Sequence, residues 1–336
     1  MSNNSNFNNR VFGLVLIKAI NSNFNADFTH QPRTLPDGRI YATDKVLKYS
    51  VRHYLKQQYP DEKILYYKRL KPEGNPLNLA EAYDAVTTEG SYDKDYEDKS
   101  KVLANILNCL DVRLFGSTFA AKKGKKGSEK TVNLSVHGPV QINHGINQFY
   151  RDGQTVDEIY SEQIMSPFRS DSDKKGGEEA EQSTLGRQSK LREGHYVFHF
   201  SINPKNLQPL VDMVNEKKEK DKILGLRTGD ADKLKEALRC GVTHFDSSAK
   251  AGSDNELLLW VQLKEDDKKV LPSFTEMVKV TRENGKVLID LSDISLMLKK
   301  VPDASVELYY VPENTTLKGV PEKAQKKHLL TGEKIS

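Results

Sequence analysis

Four cations, Lys45, Lys48, Arg52 and Lys56, recur at spacings of three, four and four. Such spacing lines side chains up along one face of a helix. Like charges in a row repel, and the stripe is read as lacking carboxylates at i,i+4, so it costs stability unless an anion neutralises it. It reads either as a solvated face or as a grip for phosphate. A second basic group spans Lys122 to Lys130, with five lysines, one glutamate, one serine and two glycines. Glycine lets backbone N–H groups approach an anion while lysine supplies charge, so the loop suits phosphate contact and equally suits a solvated hairpin tip. Two apolar runs flank it, DVRLFGSTFA before and VNLSVHGPVQINHG after, and both are read as strands.

Other chemistry is poorly supplied. Cys240-x-x-x-His244 and His195-x-x-x-His199 each place two metal-binding types four apart, but neither has a second pair at zinc-finger spacing, and packing explains them as well. There is no G-x-x-x-x-G-K-[ST]; Gly124-Lys125-Lys126-Gly127 is a basic loop, not a cradle that opens a helix. Gly116-Ser117 lacks the second glycine of a nucleophile elbow. One acid stands out, Asp27, because a carboxylate beside bound nucleic acid could hold a metal or move a proton.

The elements that must position these residues follow from periodicity. Arg10 to Ile20 is an apolar run of central-strand length, and Asn21 to Tyr41 an ordered loop. Thr43 or Asp44 caps a helix to Gln58 with Leu47, Val51, Tyr54 and Leu55 inward. Ile64 to Leu70 reads as the second strand, Asn78 to Val86 as a short helix, and Val102, Leu103, Ile106, Leu107 and Leu110 as one side of another. Asn147 to Glu193 has few apolar residues and is either a disordered insertion or an arm that packs outside its own subunit. His195 to Ile202 is a strand; Leu207 to Glu219 and Ala231 to Cys240 are helices; Glu256 to Leu263 is a strand. Glu283-Asn284-Gly285 turns a hairpin, Ile294 to Lys299 is a short helix, Ser305 to Val311 is the last strand, and the lysine-rich tail is mobile. The order strand, helix, strand, strand, helix, strand predicts an α+β fold with a ferredoxin-like sheet, the order of the RNA-recognition fold, whose open sheet face binds single strands.

Composition bounds the rest. The 336 residues exceed one average domain, yet one domain with large insertions fits. Charged residues reach 29% against 37% hydrophobic, and the net charge of +4 permits nucleic-acid binding without requiring it. Cys109 and Cys240 sit far apart in apolar patterns, which argues against a disulfide framework and fits a reducing cytosol. No apolar run approaches membrane-spanning length, so a soluble, cytoplasmic protein is expected.

The first strand with its loop and helix, DVRLFG followed by GPVQ, and TLGRQSKLREGHYVFHFSINP together resemble the Cas-seven family, the backbone subunits of CRISPR Cascade complexes in the RAMP superfamily, closest to type I-B. The likeness runs through about Leu263. It implies a non-catalytic subunit, without cofactor or metal, that stacks with copies of itself along a CRISPR guide RNA. Guide-to-target DNA pairing and other Cascade subunits complete the assembly. It also implies an RNA-recognition-like palm (about 10–70, 111–146 and 195–311), a helical fingers insertion at 71–110, a β-hairpin thumb at 147–194 and a basic tail at 312–336. The family's N-P-N-G-D-P falls on Asn23 to Phe28, its P-R on Pro32-Arg33, and its L-K-R-x-x-R on Leu47, Lys48, Tyr49 and Arg52, so one arginine is absent and Lys45 compensates. RNA contacts are thereby expected from Asn23, Asn25, Arg33, Lys45, Lys48, Arg52, Phe115, Gly116, Ser117 and Gln141, with Met165, Phe168 and Arg169 in the thumb. Two alternatives stand beside this: a type III-like subunit that cuts target RNA with Asp27, and a monomeric RNA-recognition module.

Overall fold

The computed structural model describes residues 5–88, 90–125, 127–151, 154–155, 159–166, 184–216 and 222–335. The apolar run after Arg10 forms β1 (Val11–Ser22), followed by β2 (Tyr41–Ala42) and α1 (Asp44–Gln58). Four short helices come next, α2 (Leu79–Val86), α3 (Tyr92–Asp95), α4 (Lys99–Leu107) and α5 (Leu110–Phe115), then a hairpin of β3 (Gly116–Lys123) and β4 (Lys130–His137). β5 (Val140–Ile142), β6 (Gly145–Asn147), the pair β7 (Tyr150–Arg151) and β8 (Gln154–Thr155), β9 (Ile159–Ser166) and the long β10 (Thr184–Ile202) follow. The chain continues through α6 (Gln208–Asn215), α7 (Thr228–Cys240), β11 (Ser253–Gln262), the hairpin β12 (Lys279–Glu283) and β13 (Lys286–Asp290), and α8 (Ser292–Leu298). It closes with β14 (Ser305–Tyr310), β15 (Thr315–Lys318) and β16 (Gln325–His328).

The main sheet runs β16-β14-β11-β1-β10-β6-β2, with β5 and β9 also paired to β10. It is a mixed α+β arrangement around a mostly antiparallel sheet, the β14–β16 pair being parallel. β1 is apolar from Val11 to Ile17 because it is central and buried there on both faces. Val11, Val15, Ile17 and Ala19 pack with Leu47, Val51 and Leu55 of α1 and with Leu234 and Leu238 of α7. Phe12, Leu14 and Leu16 point the other way, onto Val280, Ile289 and Ile294 of β12, β13 and α8. Both faces are therefore covered, which corrects the expected open sheet face: the hairpin and α8 bring enough apolar area to close it. A third core joins Tyr83, Tyr92, Val102, Ile106, Phe119, Val132 and Val211. β3 and β4 form a sheet of their own and pack there, with the helical cluster and not with the main sheet.

Three further expectations differ from the structure. Ile64 to Leu70 is not a strand; its regular pairing is lost because the buried Asp111 carboxylate takes the N–H groups of Leu65 (2.8 Å) and Tyr66 (2.9 Å), which a ladder would need. Asp111 to Phe115 is helical, so the strand read there begins only at Gly116. Residues beyond Pro312 carry β15 and β16 and bury Leu329, whose carbonyl accepts from Arg239 Nη1 at 2.7 Å, rather than trailing free.

One buried polar cluster ties the sheet to the layer beneath it. His195 on β10 is fully buried with Nδ1 2.5 Å from Glu256 Oε2 and Nε2 3.2 Å from Glu193 Oε1, and Arg282 Nε donates to that same Glu193 oxygen at 2.7 Å. Burial opposes charge on the imidazole, but Glu256 and Glu193 outweigh it and raise His195 to about 9. Burial likewise opposes charge on Glu193, yet His195 and Arg282 hold it near 2. A raised histidine stabilises fully below its ordinary 6.5 and loses that stabilisation as pH climbs through about 9; a depressed glutamate stabilises above its ordinary 4.5 and fades toward 2. The His195 contribution, measured as the difference between wild type and His195→Gln in denaturant melts, is therefore expected to fall by on the order of 3 kcal/mol between pH 6.5 and 9.5, whereas Lys250, held down to about 8, acts in the opposite direction in both proteins. A difference between the two proteins that stays constant across that range would show that the imidazole is neutral.

Candidate functional site

Helix α1 organises the site. Val46, Leu47, Val51, Tyr54 and Leu55 anchor it on the sheet, which leaves Lys45, Lys48, Tyr49, Arg52 and His53 on its outer side. Lys45 is exposed and makes no ion pair among the described residues. Lys48 does not lack a carboxylate partner: Asp44, one turn earlier, accepts from its Nζ at 2.9 Å, and this pair corrects the reading of an uncompensated stripe. Arg52 Nε donates to the fully buried Asp111 at 3.2 Å. Both cations lie over the Phe115 ring, Lys48 at 5.6 Å and Arg52 at 5.2 Å, and Arg52 also lies over Tyr66 at 5.6 Å.

Phe115 leads into a close backbone crossing. Gly116 sits at φ +76°, and a Cβ there would lie 2.2 Å from the Val136 carbonyl and 2.5 Å from the Gly138 nitrogen. Gly138 is equally tight, since its Cβ would lie 2.2 Å from the Gly116 nitrogen. The FG and GPVQ motifs are therefore two sides of one contact. Gln141 Nε2 donates to the Gly138 carbonyl at 2.8 Å, and Ser117 Oγ shares a 2.6 Å hydrogen bond with the Tyr66 hydroxyl.

The loop after β1 borders the first turn of α1. Asn25 Oδ1 accepts from the Thr43 N–H (2.9 Å) and hydroxyl (3.0 Å), holding the loop to the start of α1. Arg33 and Lys45 border one cleft with Asn25, and the Arg33 Nε is buried without a hydrogen-bond partner among the described residues. Asn23 is buried and donates to the His30 (3.2 Å) and Ser189 (3.1 Å) carbonyls, so it fixes the loop from inside and does not face the cleft. Asp27 is committed to its own turn: Oδ1 accepts from the Thr29 hydroxyl (2.8 Å), the Thr29 N–H (2.8 Å) and the Gln31 N–H (3.0 Å), bonds that hold its pKa below the ordinary value. Phe28, beside it, is 97% exposed.

Metal-binding pairs do not converge. His195 faces Glu256 and Glu193, whereas His199 Nδ1 accepts from the Phe274 N–H at 3.3 Å and burial pushes its pKa down to about 4. No group of three or more His, Cys, Asp or Glu able to hold a metal occurs among the described residues. Lys123 and Lys130 of the basic loop are drawn to Asp93 at 2.6 Å and 3.4 Å. Met165 pairs through its backbone with Leu185 in the β9–β10 ribbon; Phe168 and Arg169 lie outside the described residues. No helix among the described residues is long and apolar enough to cross a membrane.

Sequence reasoning missed Asp111 as the acceptor that fixes Arg52, although it opens the DVRLFG motif. It also missed Phe245 and Lys250, which border the Arg33 cleft from the loop after α7 and carry no local signal. Tyr49, next to Lys48 on the outer side of α1, was there to be read.

No curated protein sequence matches the chain. Among solved structures, a chain of "CRISPR RNA-guided surveillance complex, pre-nicking" is similar in fold, with a TM-score of 0.53 at 12% identity over 95% of this chain and 96% of that one. A chain of a second "CRISPR RNA-guided surveillance complex" aligns at a TM-score of 0.41 and 15% identity, over 90% and 91%. The family model of CRISPR-associated protein Cas7 matches residues 9–299. That match takes in β1, the loop, α1, the glycine crossing and the main sheet except β14 and β16, and the chain belongs to the Cas7 family.

Proposed function

We propose that this Cas7-family chain is a non-catalytic backbone subunit that binds a CRISPR guide RNA. It would repeat along the guide as a helical stack in a type I-B Cascade complex of the cytoplasm, with other Cascade subunits at its ends. Target DNA would engage through pairing with the guide, so sequence reading is delegated to base pairing. The observation that carries the proposal is that the outer side of α1 carries two cationic groups, Lys45 with Arg33 at one cleft and Lys48 with Arg52 over Phe115 at the Gly116–Gly138 crossing, inside the span that the family model matches. Cations beside an aromatic face suit a single strand of any sequence. A ferredoxin-like palm is supported by the order β11-β1-β10-β6, with α1 and α7 both packed on one face. Residues 71–110 would be the fingers, 147–194 the thumb and 312–336 a basic tail. The Asp27 nuclease reading is weakened by the three bonds that tie its carboxylate to Thr29 and Gln31.

Lys48 and Arg52 are already paired inside the fold, so the phosphate-facing charge falls first to Arg33 and Lys45. Arg33→Ala with Lys45→Ala is expected to weaken single-stranded RNA binding for all sequences alike and to flatten the salt slope by roughly 0.7 per lost phosphate contact. An unchanged slope removes these two residues from the interface. Nuclease footprinting of co-purified RNA tests the function itself: evenly spaced protection supports the stack, and a single protected patch favours a monomeric RNA-recognition module.

A further inference from the structure

The cleft beside Arg33 has more than charge. Its volume is about 610 Å³, within the roughly 300–1,000 Å³ of small-ligand sites. Tyr49 and Phe245 line it, their rings 5.4 Å apart and edge to face. His53 packs behind Phe245 at 4.5 Å and fixes that wall. Tyr49 is 38% exposed, an aromatic face left open where the apolar side of α1 has ended.

Three cations of different origin border the same space: Arg33 from the loop after β1, Lys45 from α1 and Lys250 from the loop before β11. Arg33 Nε is buried with no hydrogen-bond partner among the described residues, a cost that an incoming acceptor would remove. Lys250 Nζ donates to the Phe24 carbonyl at 2.6 Å, and burial pushes its pKa down to about 8, a shift that an anion alongside would oppose. The cleft also opens at the N-terminus of a 15-residue helix whose cap residue, Thr43, makes no side-chain cap hydrogen bond, because its hydroxyl is turned to Asn25. The backbone end of α1 adds little to this charge, since Asp44 stands in its first turn and the Asp44 N–H donates to His144 Nδ1 at 3.3 Å.

We infer that this cleft is a subsite for one nucleotide of a single strand, its base against Tyr49 and Phe245 and its phosphate among Arg33, Lys45 and Lys250. The inference rests on the guide-binding reading and adds a base-holding wall that charge alone does not require. Because every base has a stacking face, the subsite accepts any of the four. Neither Asp27 nor Asp44 lines the cleft: Asp44 is paired with Lys48, and Asp27 lies near enough to Arg33 to feel its charge.

The test compares two labelled strands of equal length by fluorescence anisotropy with the full chain: an ordinary single-stranded RNA and an abasic strand with the same phosphates. Tyr49→Ala should weaken binding of the RNA by about 10-fold and leave the abasic strand unchanged, while Tyr49→Phe keeps wild-type affinity for both. Tyr49 is partly exposed, so its truncation spares the core, and a thermal melt of the variant verifies this. Tyr49→Ala with undiminished RNA affinity, or with an equal loss for both strands, overturns the base subsite while guide binding stands. Wild-type protein that binds neither strand overturns the guide-binding reading, and the subsite falls with it.

Discussion

Gly116→Ala is expected to lower stability by about 2–6 kcal/mol and to open the site at the same time. The position combines φ +76° with ψ −170°, a region essentially reserved for glycine, where another residue costs roughly 1–3 kcal/mol in backbone strain. The added methyl would also lie 2.2 Å from the Val136 carbonyl, and both atoms at fault are main chain, so no side chain can swing aside. Overpacking of that kind adds about 1–3 kcal/mol. Relief requires the strands after Phe115 and before Gln141 to part, which moves the ring under Lys48 and Arg52. Urea melts measure the first effect and RNA titration the second; a variant with wild-type stability would mean that the crossing is looser than described.

Asp230→Ala is expected to cost about 3–5 kcal/mol, because it strands a buried guanidinium. Arg113 on α5 is 2% exposed and meets Asp230 on α7 through two bonds, Nε to Oδ2 at 2.8 Å and Nη2 to Oδ1 at 2.9 Å. Asp230 also accepts from the Arg227 N–H at 3.1 Å, at the start of α7. With Asp230 removed, Arg113 keeps only the Leu107 and Asn108 carbonyls and Glu62 at 3.8 Å, while Arg227 lies close enough to repel it. Loss below about 1 kcal/mol in a denaturant melt would show that solvent reaches Arg113. The double variant Arg113→Met, Asp230→Ala should recover part of the loss, since the penalty belongs to the unpaired charge.

What was legible in the sequence tracks how local its cause is. Helix α1 appears at its expected bounds because Leu47, Val51, Tyr54 and Leu55 keep a helical period, and the Asn284-Gly285 turn appears because both residues adopt positive φ. Ile64 to Leu70 looked like a strand because ILYYKRL has strand composition; nothing nearby reveals that Asp111, some 46 residues on, claims its amides. Covering of both sheet faces was hidden for a similar reason, since it depends on where the chain after Met277 returns. At the site, Lys45, Lys48 and Arg52 could be placed on one helix from spacing, whereas Phe245 and Lys250 join them only through the fold.

The long strand β10 has a mechanical meaning. Its first half, Thr184 to Leu191, pairs with β9 in the ribbon, and from Leu191 to Ile202 the same unbroken strand pairs with β1 at the centre of the sheet. Side chains alternate faces along a strand, so the central pairing sets the rotational phase of the ribbon. One residue inserted near Glu193 would turn the ribbon over without altering a single residue in it. Whatever the ribbon touches, the sheet holds it at fixed pitch, as a key is held by its shank.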